Sequence, residues 1–283
     1  MEKDPTQGGG QARAPQESAS ADLADVPGSH PRRKSLEMRQ RLVAAVEAGL
    51  AHPSGLTAHG RGEAFDYLLG ERTVPEAEAA ERAAAEVLVA AERPVVSVNG
   101  NLAALVAAEL AELQGAVTGK RPGRKPLALE ANVFHAGEAR VRRIVECLEA
   151  AGAEGVLGRD RHARIPGLES HRALCEEEGI YAADAVLVPL EDGDRAEALK
   201  AMGKVVIAID LNPLSRTSRA ADITVVDHIA RALPRIANFA ARMGSPPHKG
   251  VKALAKSFDN KANLLAVRKR IAEAMTAKEE DPS

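Results

Sequence analysis

Several short stretches of this chain place anion-binding or proton-accepting residues where an apolar run ends. The longest spans 205–228 and reads VVIAIDLNPLSRTSRAADITVVDH. Its first apolar run, Val205 to Ile209, ends on Asp210 and enters a polar turn, Leu211-Asn212-Pro213-Leu214-Ser215-Arg216-Thr217. Its second, Ile223 to Val226, ends on Asp227, followed by His228 and Ile229, and Arg216 and Arg219 lie between the two acids. In an open α/β sheet, ligands bind just beyond the carboxyl ends of the strands. An acid there can accept hydrogen bonds from ribose hydroxyls, and an arginine can meet phosphate. The same residues also spell a plain turn in which Asp210 caps the next helix. Both readings stand on this stretch alone.

Other stretches have the same double character. His59-Gly60-Arg61-Gly62 reads as a loop that feeds a helix start at Glu63–Leu69, and backbone N–H groups at such a start make an anion site. The clustering of polar groups between glycines favours that reading over a surface turn, and the absence of Gly-Lys-Ser/Thr excludes a Walker loop. Asn99-Gly100-Asn101 lies between an apolar run, 95–98, and a helical one, 102–113. This is how a Rossmann-like unit begins, without the full Gly-x-Gly-x-x-Gly, and Asn99 and Asn101 could contact a ligand or serve as cap and turn. Glu191, Asp192 and Asp194 follow another apolar run, 185–190, and could hold Mg²⁺, bind an amine, or be a solvated helix start. Arg39 borders the apolar stripe of a helical segment, as a snorkelling surface arginine or as a phosphate ligand lent to a pocket.

The elements that must position these residues alternate between short apolar runs and helical periods. After a tail, 1–28, rich in Gly, Ala, Pro, Gln and Ser and expected to be disordered, structure is expected to start at Ser29-His30-Pro31-Arg32. Helices are expected over 35–50 with Ser35 as N-cap, over 74–91 with Pro75 in the first turn, and over 102–113, 138–151, 196–202, 229–243 and 261–277. Strands are expected at 95–98, 127–134, 155–158, 185–190, 205–209 and 223–226. The basic run 115–126 is expected to be an exposed loop, and 159–171 another. The pattern implies an α/β, Rossmann-like fold: a mostly parallel sheet with helices on both faces (93–283) and a helical N-terminal segment (29–92) packed on it.

Composition narrows the function classes. The 283 residues are 45% hydrophobic and 28% charged, enough for a sizeable core. A net charge of -2 and 2% aromatics argue against a nucleic-acid surface or a stacking platform for single strands. The two cysteines, Cys147 and Cys175, form no close Cys or His pair, which argues against zinc and fits a reduced setting. Without a membrane-length apolar run or a signal-peptide core, the expected location is the cytoplasm.

Taken together, these stretches resemble one family. Ser-His-Pro-Arg at 29–32, GLTAHGRGEAFDYLLGE at 55–71, VVSVNGNLAALV at 95–106, IPGLES at 165–170, GIYAADAVLVPLEDGDR at 179–195 and IDLNPLSRTSRAADITVVD at 209–227 follow in the order found in archaeal phosphopantothenate synthetases, the 4-phosphopantoate–β-alanine ligases. FDNKANL at 258–264 fits the C-terminal part of that family. The resemblance covers about residues 29 to 277, and the tail and the 115–126 run depart from the pattern without interrupting a motif.

The resemblance implies a homodimeric ligase of coenzyme A biosynthesis. It would join 4-phosphopantoate to β-alanine at the expense of ATP, giving 4'-phosphopantothenate, AMP and pyrophosphate. It places ATP contacts on Arg39, Arg61, Asp210, Leu211, Asn212, Arg216, Thr217, His228 and Ile229, with Leu211 and Ile229 offering apolar surface to adenine. Arg39, Arg61 and His59 would serve the reacting phosphates, aided by Mg²⁺, and Asn99, Asn101, Glu191 and Asp192 are candidates for the other substrates. The rivals are a nucleotide-binding regulatory module without catalysis and, disfavoured by the missing glycine fingerprint, an NAD-dependent dehydrogenase.

Overall fold

A computed structural model describes residues 26–30, 32–133 and 137–276. Most of the expected tail, Pro31, the expected strand end at Phe134 and the expected helix end at Ala277 lie outside the described residues.

Five short apolar runs form one parallel sheet because each is buried along its whole length or nearly so and is joined to the next by a helical crossover. They are β1 (Pro94–Val98), β2 (Ala128–Ala131), β5 (Ala185–Pro189), β6 (Val205–Ile209) and β7 (Ile223–Val225), in the order β2-β1-β5-β6-β7. A separate two-stranded antiparallel ladder, β3 (Ala163–Arg164) with β4 (Leu174–Cys175), lies within the expected loop and just beyond it. The run 155–158 supplies only a bridge from Leu157 to Glu130, because Gly155 and Gly158 both take positive φ and break the extended path.

Side chains alternate across the sheet, so each strand feeds two cores. One face, with Val96, Val98, Leu187, Ile207 and Ile209, packs against α1 (Arg33–Glu47), α3 (Pro75–Ala90), α4 (Gly100–Thr118), α5 (Glu138–Ala150), α8 (Ile229–Arg242) and α9 (Val251–Ser257). The other face, with Val95, Val186, Val188 and Val206, packs against α6 (Gly193–Ala201), the β3–β4 ladder and Ile180. Helices therefore cover both faces, as the strand–helix alternation requires. A third cluster joins Leu69, Val74, Leu211 and Val226 to Leu264, Val267 and Ile271 of α10 (Asn260–Thr276).

Local chemistry moved several boundaries. Ser35 is not a cap: α1 begins at Arg33, and the Ser35 hydroxyl donates to Glu63 Oε1 at 3.0 Å. The His-Gly-Arg-Gly run is not a loop either. Pro53 starts α2 (Pro53–Leu68), so His59, Arg61 and Glu63 lie mid-helix. Gly60 and Gly62 are tolerated there at some cost in helix propensity, and a Cβ at either position would meet nothing closer than an ordinary contact with Leu211. The basic run 115–126 continues α4 to Thr118 and then docks. Arg121 is buried, donating to the Val89 and Glu92 carbonyls at 3.2 and 3.1 Å and to that of Ala91, where α3 ends. A cation suits those orphan carbonyls. Among the described residues no helix is long and apolar enough to cross a membrane.

Candidate active site

The strand order reverses between β1 and β5: from β1 the chain goes to β2 on one side, then returns to β5 on the other. The carboxyl ends at such a reversal splay apart and leave a crevice. Here the crevice is a cavity of about 620 Å³. It is lined by Asn99, Gly100 and Asn101 after β1, Val133 and Arg140 after β2, Leu190, Asp192, Gly193 and Asp194 after β5, and Arg216 after β6. The start of α2 closes it with His52, Ser54 and Gly55, and Ala58 and Arg61 reach it one and two turns further on. Arg172 completes the wall.

Asn99 shapes the middle of this cavity. Its Oδ1 accepts from the N–H groups of Asn101 and Leu102 at 3.1 and 3.2 Å, which caps α4. Its Nδ2 donates to the carbonyls of Pro189 and Leu190 at 3.4 and 3.2 Å, which ties β1 to the end of β5. Asn101 donates to the Gly55 carbonyl at 2.9 Å and draws the start of α2 against the start of α4. Gly193 allows the equivalent approach on the far side. A Cβ there would sit 2.3 Å from Arg216 Cβ and 3.2 Å from the Thr217 nitrogen. Thr217 Oγ1 donates to the Glu191 carbonyl at 2.7 Å and holds α7 (Arg216–Ala220) to that turn. The N-termini of α2, α4 and α6 thus point into one space, and α6 has no side-chain cap. Helix N-termini and arginines both favour anions.

The acids after β5 divide. Asp192 and Asp194 line the cavity, whereas Glu191 turns inward between Arg172 and Arg195. Arg195 is 1% exposed and also donates to Ser97 Oγ at 2.7 Å. Burial pulls Arg172 and Arg195 down to about 10, which leaves both cationic at neutral pH. Glu191 is thereby the counter-ion of two buried guanidiniums and positions Arg172 in the wall. Deeper still, burial pushes Glu130 up to about 7, although it accepts from the N–H groups of Ile180 and Glu176 at 2.6 and 2.9 Å.

Of the residues expected at the site, the cavity brings together Arg61, Arg216, Asn99, Asn101 and Asp192. Asp210 lies beside it, and Arg61 acts on its carboxylate electrostatically. That carboxylate also organises the turn: Oδ1 accepts from Asn212 N at 2.9 Å and Oδ2 from Ser215 Oγ at 2.5 Å, while burial raises its pKa. Leu211, Thr217, His228 and Ile229 are buried and line no part of this cavity. Leu211 and Ile229 have joined the core and present no open apolar face. Asn212 is half-buried in the turn. Asp227 is no rim acid. It is covered, accepting from Thr73 Oγ1 at 2.5 Å, His228 N at 2.7 Å and Arg231 Nε at 2.7 Å.

Arg39 and His59 occupy a second groove between α1 and α2, with Val43, Leu56, Glu63 and Tyr67. Arg39 Nε donates to both Glu63 oxygens, at 3.2 and 2.9 Å. His59 stands edge-on to His228, ring centroids 5.9 Å apart, and burial lowers the pKa of both imidazoles. The cavity also recruits residues without a readable signal: His52, Ser54, Arg140 and Arg172 are single polar letters in ordinary surroundings. Only the fold shows that they meet.

The sequence model of the phosphopantothenate/pantothenate synthetase family matches residues 76–274. The 4-phosphopantoate–β-alanine ligase of Thermococcus kodakarensis is 48% identical over 255 residues, covering 90% of this chain and 95% of its own. The proteins of the same name from Methanosarcina mazei and Methanospirillum hungatei are 48% and 50% identical, covering 86% and 77% of this chain and 92% and 86% of theirs. All three organisms are archaea. A match of this extent runs through the β1, β5 and β6 ends that build the cavity, and the chain belongs to the phosphopantothenate/pantothenate synthetase family, a family of ligases.

Proposed function

We propose that the chain carries out the reaction for which its relatives are named, joining 4-phosphopantoate to β-alanine, and that it does so with ATP through an acyl-adenylate. The observation that supports this most is the cavity at the β1–β5 reversal. It offers Arg61, Arg140, Arg172 and Arg216 and the N-termini of α2, α4 and α6 to two phosphate-bearing molecules. In the first step a carboxylate oxygen bonds to the α-phosphorus of ATP and the bond to the β-phosphate oxygen breaks, releasing pyrophosphate. In the second the β-alanine nitrogen attacks the acyl carbon, AMP leaves with the bonding pair, and the nitrogen loses a proton. Negative charge builds on phosphate oxygens in the first step, and fixed cations and helix N-termini stabilise it.

On this reading Arg61 and Arg216 face the nucleotide phosphates. Asp210 and Asn212, with the neighbouring Leu211, Thr217, His228 and Ile229, form the adenosine side, with Asp210 as the ribose acceptor. The covered members of that set would act through backbone groups. Arg39 would join by exchanging Glu63 for a phosphate, with His59 next to it. Asn101 and Asp192 lie on the side of the other substrates, Asp192 as the acid available to the β-alanine ammonium. Among the described residues no group of three or more His, Cys, Asp or Glu could hold a metal ion. Mg²⁺ would therefore enter on the triphosphate, with Asp192 or Asp194 as a protein ligand, and would neutralise phosphate charge. A homodimeric, cytoplasmic enzyme of coenzyme A biosynthesis completes the proposal.

The test is a product assay with ¹⁸O in the 4-phosphopantoate carboxylate. AMP and pyrophosphate forming only when both co-substrates are present, with label in AMP, supports the adenylate route. ADP with labelled phosphate replaces it by an acyl-phosphate route, and nucleotide binding without turnover leaves a regulatory module.

A further inference from the structure

We propose that Arg140 anchors the phosphate of the acyl substrate at the β2 end of the cavity, opposite the nucleotide. This rests on the ligase reading above and adds a residue that neither the motifs nor the family resemblance assigns.

The strand order ranks the polar residues of the cavity along its length. Arg140 belongs to the β2 end, Asn99 to β1, Asp192 to β5 and Arg216 to β6. Neighbouring strands lie about 4.8 Å apart, so β2 and β6 are separated by roughly 14 Å along the carboxyl edge. One phosphate cannot span that distance, whereas two separate anions can share it. Commitments to protein acids then separate Arg140 from Arg172 and Arg216, while Arg61, which also lacks a carboxylate partner among the described residues, faces Asp210 on the nucleotide side. Arg216 is paired with Glu197 at 2.7 Å, and Arg172 with Glu191 and Asp192. The Arg140 guanidinium has no hydrogen bond or ion pair to any described residue, and its Nε is covered without an acceptor. A guanidinium nitrogen that has given up water and gained no partner is unfavourable until an acceptor arrives. In a cavity open to solvent at helix N-termini, that acceptor is an anionic ligand.

The dimensions of 4-phosphopantoate fit the division. Its phosphate and carboxylate stand about 6 Å apart across a short branched chain of single bonds. With the phosphate on Arg140, the carboxylate falls over Asn99 and Gly100, next to the uncapped start of α6. An α-phosphate arriving from the Arg61 and Arg216 side meets it there. Reversing the substrate would put its carboxylate on Arg140, far from the nucleotide, so Arg140 also sets the direction of binding.

Arg140 is half-buried at the start of α5 and its substitution removes no core packing. In the full chain, Arg140→Ala raises the KM for 4-phosphopantoate roughly 10- to 100-fold, the worth of a charge-assisted contact. The KM for ATP stays within about threefold. Arg140→Lys recovers part of the loss, because it keeps the charge without the two-pronged donor. Calorimetric titration with 4-phosphopantoate in the absence of ATP shows the same weakening, and titration with pyrophosphate shows none. An ATP KM that rises as much as the 4-phosphopantoate KM, or an unchanged 4-phosphopantoate KM, overturns the assignment. Wild-type protein that forms no 4'-phosphopantothenate rejects the ligase reading itself. A working wild type with an equally good Arg140→Ala rejects Arg140 alone.

Discussion

Asn99 donates through Nδ2 to the Leu190 carbonyl at 3.2 Å, and this contact fixes the floor of the cavity. Leu190 has φ 51, a left-handed conformation that a branched residue adopts at a cost of order 1–3 kcal/mol and keeps only where its surroundings hold it. The same amide caps α4, so its two functions can be separated by substitution. Asn99→Ala removes both and is expected to cost about 1 kcal/mol from the cap alone. Asn99→Asp keeps the acceptor for the α4 N–H groups and loses the donor to Leu190. The expected result is a nearly normal thermal midpoint with turnover lowered about tenfold. Full activity in Asn99→Asp would show that the tether to β5 is dispensable.

Arg61 is exposed and mid-helix, and no carboxylate among the described residues is in direct contact with it. Its charge faces Asp210 and the cavity. Removing it should spare the fold and injure the chemistry. Arg61→Ala is expected to lower ligase turnover at least about tenfold, with the melting temperature almost unchanged. A shift of many degrees, with full activity in the protein that remains folded, would make Arg61 structural.

The strands were legible because a fully buried parallel strand is a short unbroken apolar run, and 95–98, 185–190, 205–209 and 223–226 each end within about a residue of the observed strand. The helical placement of His59 to Glu63 was not legible. Glycines at 60 and 62 read as loop letters, and the tertiary packing of α2, which buries His59, Glu63 and Asp66, outweighs their low helix propensity. Asp210 and Asp227 look alike in sequence, each closing a strand. The difference comes from Thr73 and Arg231, distant in sequence for Thr73 and one helical turn on for Arg231, which cover Asp227 while Asp210 stays half-buried beside Arg61. Arg140 and Arg172 could not be singled out, because an arginine's partners are set by tertiary neighbours. Glu191 showed only as one acid among three, and its counter-ions Arg172 and Arg195 emerge from the fold.

Gly193 carries a prediction about shape. Alanine there would bring a methyl group against Arg216 Cβ and the backbone of α7, so the start of α6 and Arg216 must separate. Overpacking of this kind costs roughly 1–3 kcal/mol. Because the displaced residue faces the nucleotide side, Gly193→Ala is expected to raise the KM for ATP more than that for β-alanine. Equal kinetic constants alongside a lowered melting temperature would confine the effect to packing.

His228 carries a prediction about pH. Burial lowers its pKa to about 4, assisted by Arg231 and His59 and opposed by Asp66 and Asp227. In the unfolded chain a histidine takes up its proton near pH 6.5. As pH falls from there towards 4, the unfolded state gains a proton that the folded state refuses, so stability is lost across that window and is complete above it. The loss attributable to His228 is on the order of 3 kcal/mol. Its Nδ1 also caps α8, accepting from Ala230 N at 3.2 Å, and asparagine can replace that cap. His228→Asn is therefore expected to have similar stability to the wild type near pH 7.5 and to be more stable than the wild type near pH 4.5, with a residual acid slope from His59. Urea unfolding at several pH values measures this directly, and parallel stability curves for the two proteins would show that His228 titrates alike in both states.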